Sequence, residues 1–117
     1  MTHAAPQAGD LVWVDFEPAK GTEQRGARPA LVISSTTYNE ASHRSIVCPV
    51  TRNAAEWPTK VPLPEGCGVN GYVLADQVRS IDRSQRGFRK VGQAPPETVD
   101  AVKRKLMGLL ASLPTSV

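Results

Sequence analysis

The chain has 117 residues, enough for one domain with its own core and too few for two. Ten prolines, nine glycines and short apolar runs argue against a helical bundle and for strands joined by turns, and a net charge of +3 permits nucleic-acid contact without demanding it. No apolar run is long enough to span a bilayer and "MTHAAPQ" lacks the regions of a signal peptide, so a soluble, cytoplasmic protein with no membrane contact is expected.

In chain order, residues 1–8 read as a loose tail. "LVWVDF" (11–16) alternates as a half-buried strand does, and Pro18 and Gly21 end it. Glu17 to Arg28 forms a long polar loop. "ALVIS" (30–34) is a continuous apolar run of strand length that follows Pro29, and "SIVCPV" (45–50) is another strand whose Pro49 suggests an edge or a bulge. "TKVPL" (59–63) is a weaker strand, and "GYVLADQVRSI" (71–81) is two short strands or one bent about Asp76. From 95 to 113 the period changes. Pro96 suits a first helical position, Glu97 and Asp100 favour the positive end of the dipole, and Val99, Val102, Leu106, Leu109, Leu110 and Leu113 form one stripe. The expected architecture is mostly β: a small, mainly antiparallel barrel over residues 9–113, with this helix packed on the sheet and a tail at 114–117.

Cys48 and Cys67 lack the close pairing of a zinc or redox site, and His3 and His43 do not complete one, so no metal or cofactor is expected. The cations are more informative. Arg25 and Arg28 share one turn, Arg52 lies in another, and Arg83, Arg86, Arg89 and Lys90 fall in a third.

"GTEQRGARPALV" (21–32) nearly spells a phosphate-binding P-loop, which needs Lys and then Ser or Thr after its second glycine. Ala27 and Arg28 occupy those positions, and Pro29 restrains Arg28 to extended geometry where a P-loop would open a helix. What remains is a polar loop carrying Glu23, Arg25 and Arg28 onto a β-scaffold. The Arg28 fork suits two phosphate oxygens at once, or equally a surface ion pair with Glu23. Thr51 in "PVTR" (49–52) offers a hydroxyl beside Arg52, or is a turn residue at a strand end. Asp76 and Gln77 in "LADQVRSID" (74–82) interrupt an apolar run, or cap a turn. Trp57 can stack on a base or pack under its own loop.

Taken together, "GDLVWVDFEPAKGTEQRGARPALVIS", "CPVT" and "LADQVRSID" closely resemble the MazF/PemK (Kid-like) toxins of bacterial toxin–antitoxin pairs, over nearly the whole chain. The resemblance implies a small SH3-like barrel of the CcdB/PemK type. It also implies a homodimeric endoribonuclease that cuts single-stranded RNA without a metal and is blocked by a cognate MazE-like antitoxin. Arg28 matches the family's essential arginine before proline, Thr51 its catalytic threonine, and Glu23 an acidic residue needed in some members. Asp76 matches an acid assigned a catalytic role in the Kid-like branch. Thr22 stands where that branch has histidine and Leu74 where it has arginine, so the chain fits the MazF-like branch better.

The expected chemistry is attack by the RNA 2′-hydroxyl, giving a 2′,3′-cyclic phosphate and a 5′-hydroxyl end. Arg28 neutralises charge on the phosphoryl oxygens, Thr51 adds a hydrogen bond, and Glu23 serves as base. RNA contacts are expected from Thr22, Gln24 and Arg25 in the loop 17–28 and from Arg52 and Trp57 in the loop 52–58. Asp76, Gln77 and Arg86 complete the set, with 83–90 as a basic binding segment. The antitoxin would offer an acidic, flexible segment to the same groove. A CcdB-like, non-enzymatic gyrase poison shares the fold and is the alternative. Such poisons depend on a Trp-Gly-Ile ending, whereas this chain ends "LPTSV".

Overall fold

Leu11, Val12, Val14 and Phe16 are buried while Trp13 and Asp15 are exposed, so the first strand presents one face wholly to a core and the other only in part. The computed structural model describes residues 5–16 and 26–111. Its elements are β1 (Asp10–Asp15), β2 (Ala27–Val32), α1 (Thr36–Ala41), β3 (Arg44–Thr51), β4 (Lys60–Pro62) and β5 (Tyr72–Leu74). A short 3-10 turn (Ala75–Gln77), β6 (Arg79–Asp82), β7 (Phe88–Gln93) and α2 (Pro96–Leu110) follow.

All pairings are antiparallel, in the order β4-β5-β3-β2-β1-β7, with β6 also paired to β3. β3 therefore changes partner along its length. Val47 pairs with Arg79 of β6 and Val50 with Val73 of β5, so Pro49 falls in the gap between the two, where its missing N–H is tolerated. The expected bend at Asp76 is the 3-10 turn that carries the chain from β5 to β6.

The strand path of this small, barrel-like sheet is open. Its edges, β4 and β7, do not pair. The chain between β4 and β5 crosses the gap instead, and the Gln93 amide donates to the Cys67 carbonyl at 2.9 Å. A side chain at Gly92 would collide with that carbonyl, so the crossing requires glycine.

Both faces of the central strands are covered, which is why 30–34 reads as a continuous apolar run. Val12, Val14, Phe16, Ala30, Val32, Val47 and Ile81 form one core inside the curl of the sheet. Leu11, Leu31, Ile33, Val50, Val61 and Val73 form the other, with Val99 and Val102 of α2. The α2 stripe packs only in part. Leu106 is half-buried, Leu109 and Leu110 are 46% and 68% exposed, and Leu113 lies outside the described residues. The helix meets β4 and the 3-10 turn and then outruns β4, the edge of the sheet. No helix among the described residues is long and apolar enough to cross a membrane.

A second departure from the sequence reading concerns 83–90. Arg83 is a structural cation: it donates to the carbonyls of Asn39, Ser42 and Arg44 at 2.9, 3.2 and 2.6 Å and to Ser45 Oγ at 2.9 Å. Asn39, fully buried in α1, accepts from Ser34 and Ser45 and donates to the Pro6 carbonyl at 2.7 Å. Residues 5–9 are thereby held to the body of the fold.

Candidate active site

Arg28 lies inside β2, opposite Val14 of β1, rather than in the loop before the strand. Backbone pairing on a central strand therefore fixes where its side chain begins. Thr51 closes β3 in register with Tyr72 and is buried at 8% exposure. The Asn53 amide donates to Thr51 Oγ1 at 3.2 Å, so the hydroxyl oxygen is an acceptor toward its own turn and its proton is left to point elsewhere.

These two residues line one open groove of about 880 Å³. Arg52 and Asn53 line it from the turn after β3, Gly68, Val69 and Asn70 from the β4–β5 connection, and Trp13, Arg89 and Val91 from the sheet. Arg89 stands opposite Trp13 across the β1–β7 pair, and Trp13 opposite Pro29, so an aromatic side chain and a cation share one row of the sheet. Three arginines and no carboxylate occur in this lining among the described residues. Such a surface attracts polyanions and repels divalent cations. No group of three His, Cys, Asp or Glu gathers elsewhere among them.

The other expected contacts are placed differently. Trp57 is 59% exposed on the loop after Thr51, and its Nε1–H donates to Asp76 Oδ2 at 3.1 Å. Indole and carboxylate thus hold each other beside the groove, and Gln77 sits half-buried at the end of the same 3-10 turn. Arg86 donates to the Asp15 carbonyl at 2.7 Å, bracing the end of β1. Behind the site, burial and then the Asp76 charge push the Cys48 thiol up to about 12, so it is an inert core group.

Residues 7–110 match the family described as the PemK-like, MazF-like toxin of type II toxin–antitoxin systems. The chain belongs to this family. The endoribonuclease toxin MazF of Escherichia coli K12 is 42% identical over 110 residues, covering 94% of this chain and 98% of that one. The crystal structure of MazF from Deinococcus radiodurans superposes with a TM-score of 0.86 at 44% identity, covering 92% and 97% of the two chains. A MazE–MazF structure from the same organism gives 0.79 at 40% identity, covering 92% and 96%. These relatives do not favour the gyrase-poison alternative.

In this MazF-like toxin, Arg28, Thr51 and Arg52 of the expected site residues come together in the groove, while Thr22, Glu23, Gln24 and Arg25 lie outside the described residues. Sequence reasoning missed Trp13 and Asn70 as lining. Trp13 did carry a signal, as the large aromatic at an outward position of an alternating strand. Asn70 is delivered by a connection between distant strands and had none.

Proposed function

We propose that this toxin is a sequence-specific endoribonuclease whose Arg28–Thr51 groove cuts single-stranded RNA without a metal ion. The observation that carries the reading is that one groove holds Arg28 and Thr51 among further arginines, with no carboxylate in its described lining. RNA brings its own nucleophile. The 2′-oxygen bonds to the adjacent phosphorus, the bond from phosphorus to the 5′-oxygen breaks, and a 2′,3′-cyclic phosphate and a 5′-hydroxyl end result.

Arg28 offers a planar fork to the phosphoryl oxygens as their charge grows, and a donor of that kind is worth about a hundred- to a thousandfold in rate. Thr51 gives its hydroxyl proton to the same phosphate. Glu23 takes the proton from the 2′-hydroxyl in this scheme. The departing 5′-oxygen takes its proton from water, or from Arg28 as its partner's proton moves. Arg52 and Arg89 hold neighbouring phosphates.

The reading puts this work in the cytoplasm, on messenger, transfer or ribosomal RNA, so that translation and growth stop. It includes a homodimer with the groove along or near the subunit interface. It also includes a MazE-like antitoxin, a partner that the MazE–MazF structures of relatives support, and in this reading its acidic, flexible segment orders over Arg28.

The experiment is incubation with a long RNA in excess EDTA, followed by end-group analysis. Fragments with 2′,3′-cyclic phosphate and 5′-hydroxyl ends are expected. Activity that vanishes with the chelator and returns with magnesium overturns the scheme.

A further inference from the structure

The Thr51 hydroxyl is oriented by the turn that follows it. The Asn53 amide donates to Oγ1 at 3.2 Å, so the direction left for the hydroxyl proton depends on where the loop holds Asn53. Residues 52–57 belong to no helix or strand, and side chains set their course. We propose that Lys60 is a positioning residue of the cleavage site: by fixing Asn53, it aims the Thr51 hydroxyl proton into the groove. The proposal rests on the ribonuclease reading of that groove and adds the residue that orients its threonine.

Three observations support it. First, one cation gathers the loop. Lys60 Nζ donates to the Asn53 and Ala55 carbonyls, both at 2.7 Å, the length of charge-assisted bonds. Two carbonyls of an irregular loop thus converge on a single half-buried ammonium.

Second, the bonds meet on Asn53. Its carbonyl accepts from Lys60, its Oδ1 accepts from the Ala55 amide at 2.9 Å, and its own amide donates to Thr51. With the carbonyl and the side chain both held, the amide beside them has little room to turn. Removing the ammonium releases the carbonyls of 53 and 55 together, at both ends of the turn that Oδ1 closes.

Third, the cation is anchored where Thr51 is anchored. Lys60 begins β4 opposite Leu74 of β5, and Tyr72 of β5 is in register with Thr51. Strand alternation therefore puts Lys60, Tyr72 and Thr51 on one face of the sheet. Lys60 Nζ lies over the Tyr72 ring, 5.8 Å from its centroid, so the side chain spans β5 to reach the loop that leaves β3. Lys60 does not line the first groove, and its effect on the chemistry runs through Asn53 and Thr51.

The test compares Lys60→Met, which keeps the stem and loses the donors, with Lys60→Arg, whose fork reaches two carbonyls as well. Rates are read on one defined RNA, well below the Tm of each variant. Lys60→Met should lower kcat by roughly three- to tenfold with KM within about twofold, because it weakens only what Thr51 gives the transition state. Lys60→Arg should keep kcat within about twofold of the parent. In a Thr51→Ala background, Lys60→Met should change kcat by less than about 1.5-fold, since the group it acts through is gone. In the protein without RNA, NMR should show the Asn53 amide exchanging with solvent at least about fivefold faster in Lys60→Met.

An equal loss of kcat in both backgrounds overturns the proposal, because a general weakening of the fold does not depend on Thr51. A raised KM with kcat unchanged overturns it too and makes Lys60 a contact of the RNA strand. So does Asn53 exchange that is unchanged in Lys60→Met. A wild-type protein that cuts no RNA refutes the reading of the first groove, while faster Asn53 exchange in Lys60→Met still supports the hold of Lys60 on the Thr51 turn.

Discussion

Gly71 offers a way to move Thr51 without touching it. Its φ is +140°, and a Cβ built there lies 2.5 Å from the Thr51 carbonyl oxygen and 2.9 Å from Val50 Cγ1. Carbon and oxygen approach to about 3.3 Å at closest in comfortable contacts, so alanine must displace the end of β3 or the start of β5 by about 0.8 Å. The strained backbone costs about 1–3 kcal/mol and the overpacking about 1–3 kcal/mol more, giving about 2–6 kcal/mol for Gly71→Ala. For a chain of this size that lowers Tm by about 8–24 °C. Gly87 is the control, because nothing lies within 4 Å of its Cβ position and its φ carries no penalty. Gly87→Ala should stay within about 0.5 kcal/mol of the parent. Thermal unfolding by circular dichroism gives the stabilities, and RNA cleavage well below the mutant's Tm gives the activity. Gly71→Ala should be both less stable and slower per folded molecule, since the shift reaches the Thr51 hydroxyl. A Gly71→Ala protein with parental Tm and parental kcat would refute the geometry assigned to the end of β3.

Arg83→Ala should cost about 1–3 kcal/mol, because four acceptors lose a charged donor and water reaches some of them, while kcat at low temperature stays unchanged. Denaturant titration beside a cleavage assay separates the two effects. Cys48, raised by burial and the Asp76 charge from 9.0 to about 12, keeps its proton in the fold after the unfolded chain has lost it. Stability should therefore fall as pH rises from about 9 toward 12, and more steeply in the parent than in Cys48→Ala at matched starting stability. Thr51→Ala should slow cleavage by roughly ten- to a hundredfold, in line with about 1.5–3 kcal/mol for a hydrogen bond to a charged oxygen, with Tm little changed. Competition between RNA and an acidic antitoxin segment should weaken for both as salt rises. Simultaneous binding at either salt concentration would place the antitoxin on another surface.

The apolar strands were legible because each declares its burial. Alternation marked β1, and a two-sided apolar run marked the end of β2. What escaped notice was polar. β7 reads "FRKVGQ", with no residue fully buried, since it is a sheet edge paired to β1 on one side, and only Phe88 and Val91 pack, half-buried, against the cores. α1 has six residues and buries only Asn39, whose work is hydrogen bonding, so no helical period could announce it. The helix stripe was read too far because periodicity reports which face is apolar, and not where the partner surface ends.

Arg28 and Thr51 could be picked out as residues from local sequence and family resemblance. Their shared groove could not. The groove is assembled from β1, β2, β7, the end of β3 and the β4–β5 connection, and no local pattern encodes which distant segments meet. Arg83 shows the converse error. In sequence it looked the same as Arg89, yet three carbonyls claim it.

The most direct test of the account is the single-turnover rate of Arg28→Ala and Arg28→Lys on one defined RNA in the presence of chelator. The account predicts that both fall by about a hundredfold or more with Tm near the parent value, because one ammonium cannot reproduce the fork at the phosphoryl oxygens. A rate within about threefold of the parent in Arg28→Ala would contradict it and move the chemistry out of this groove.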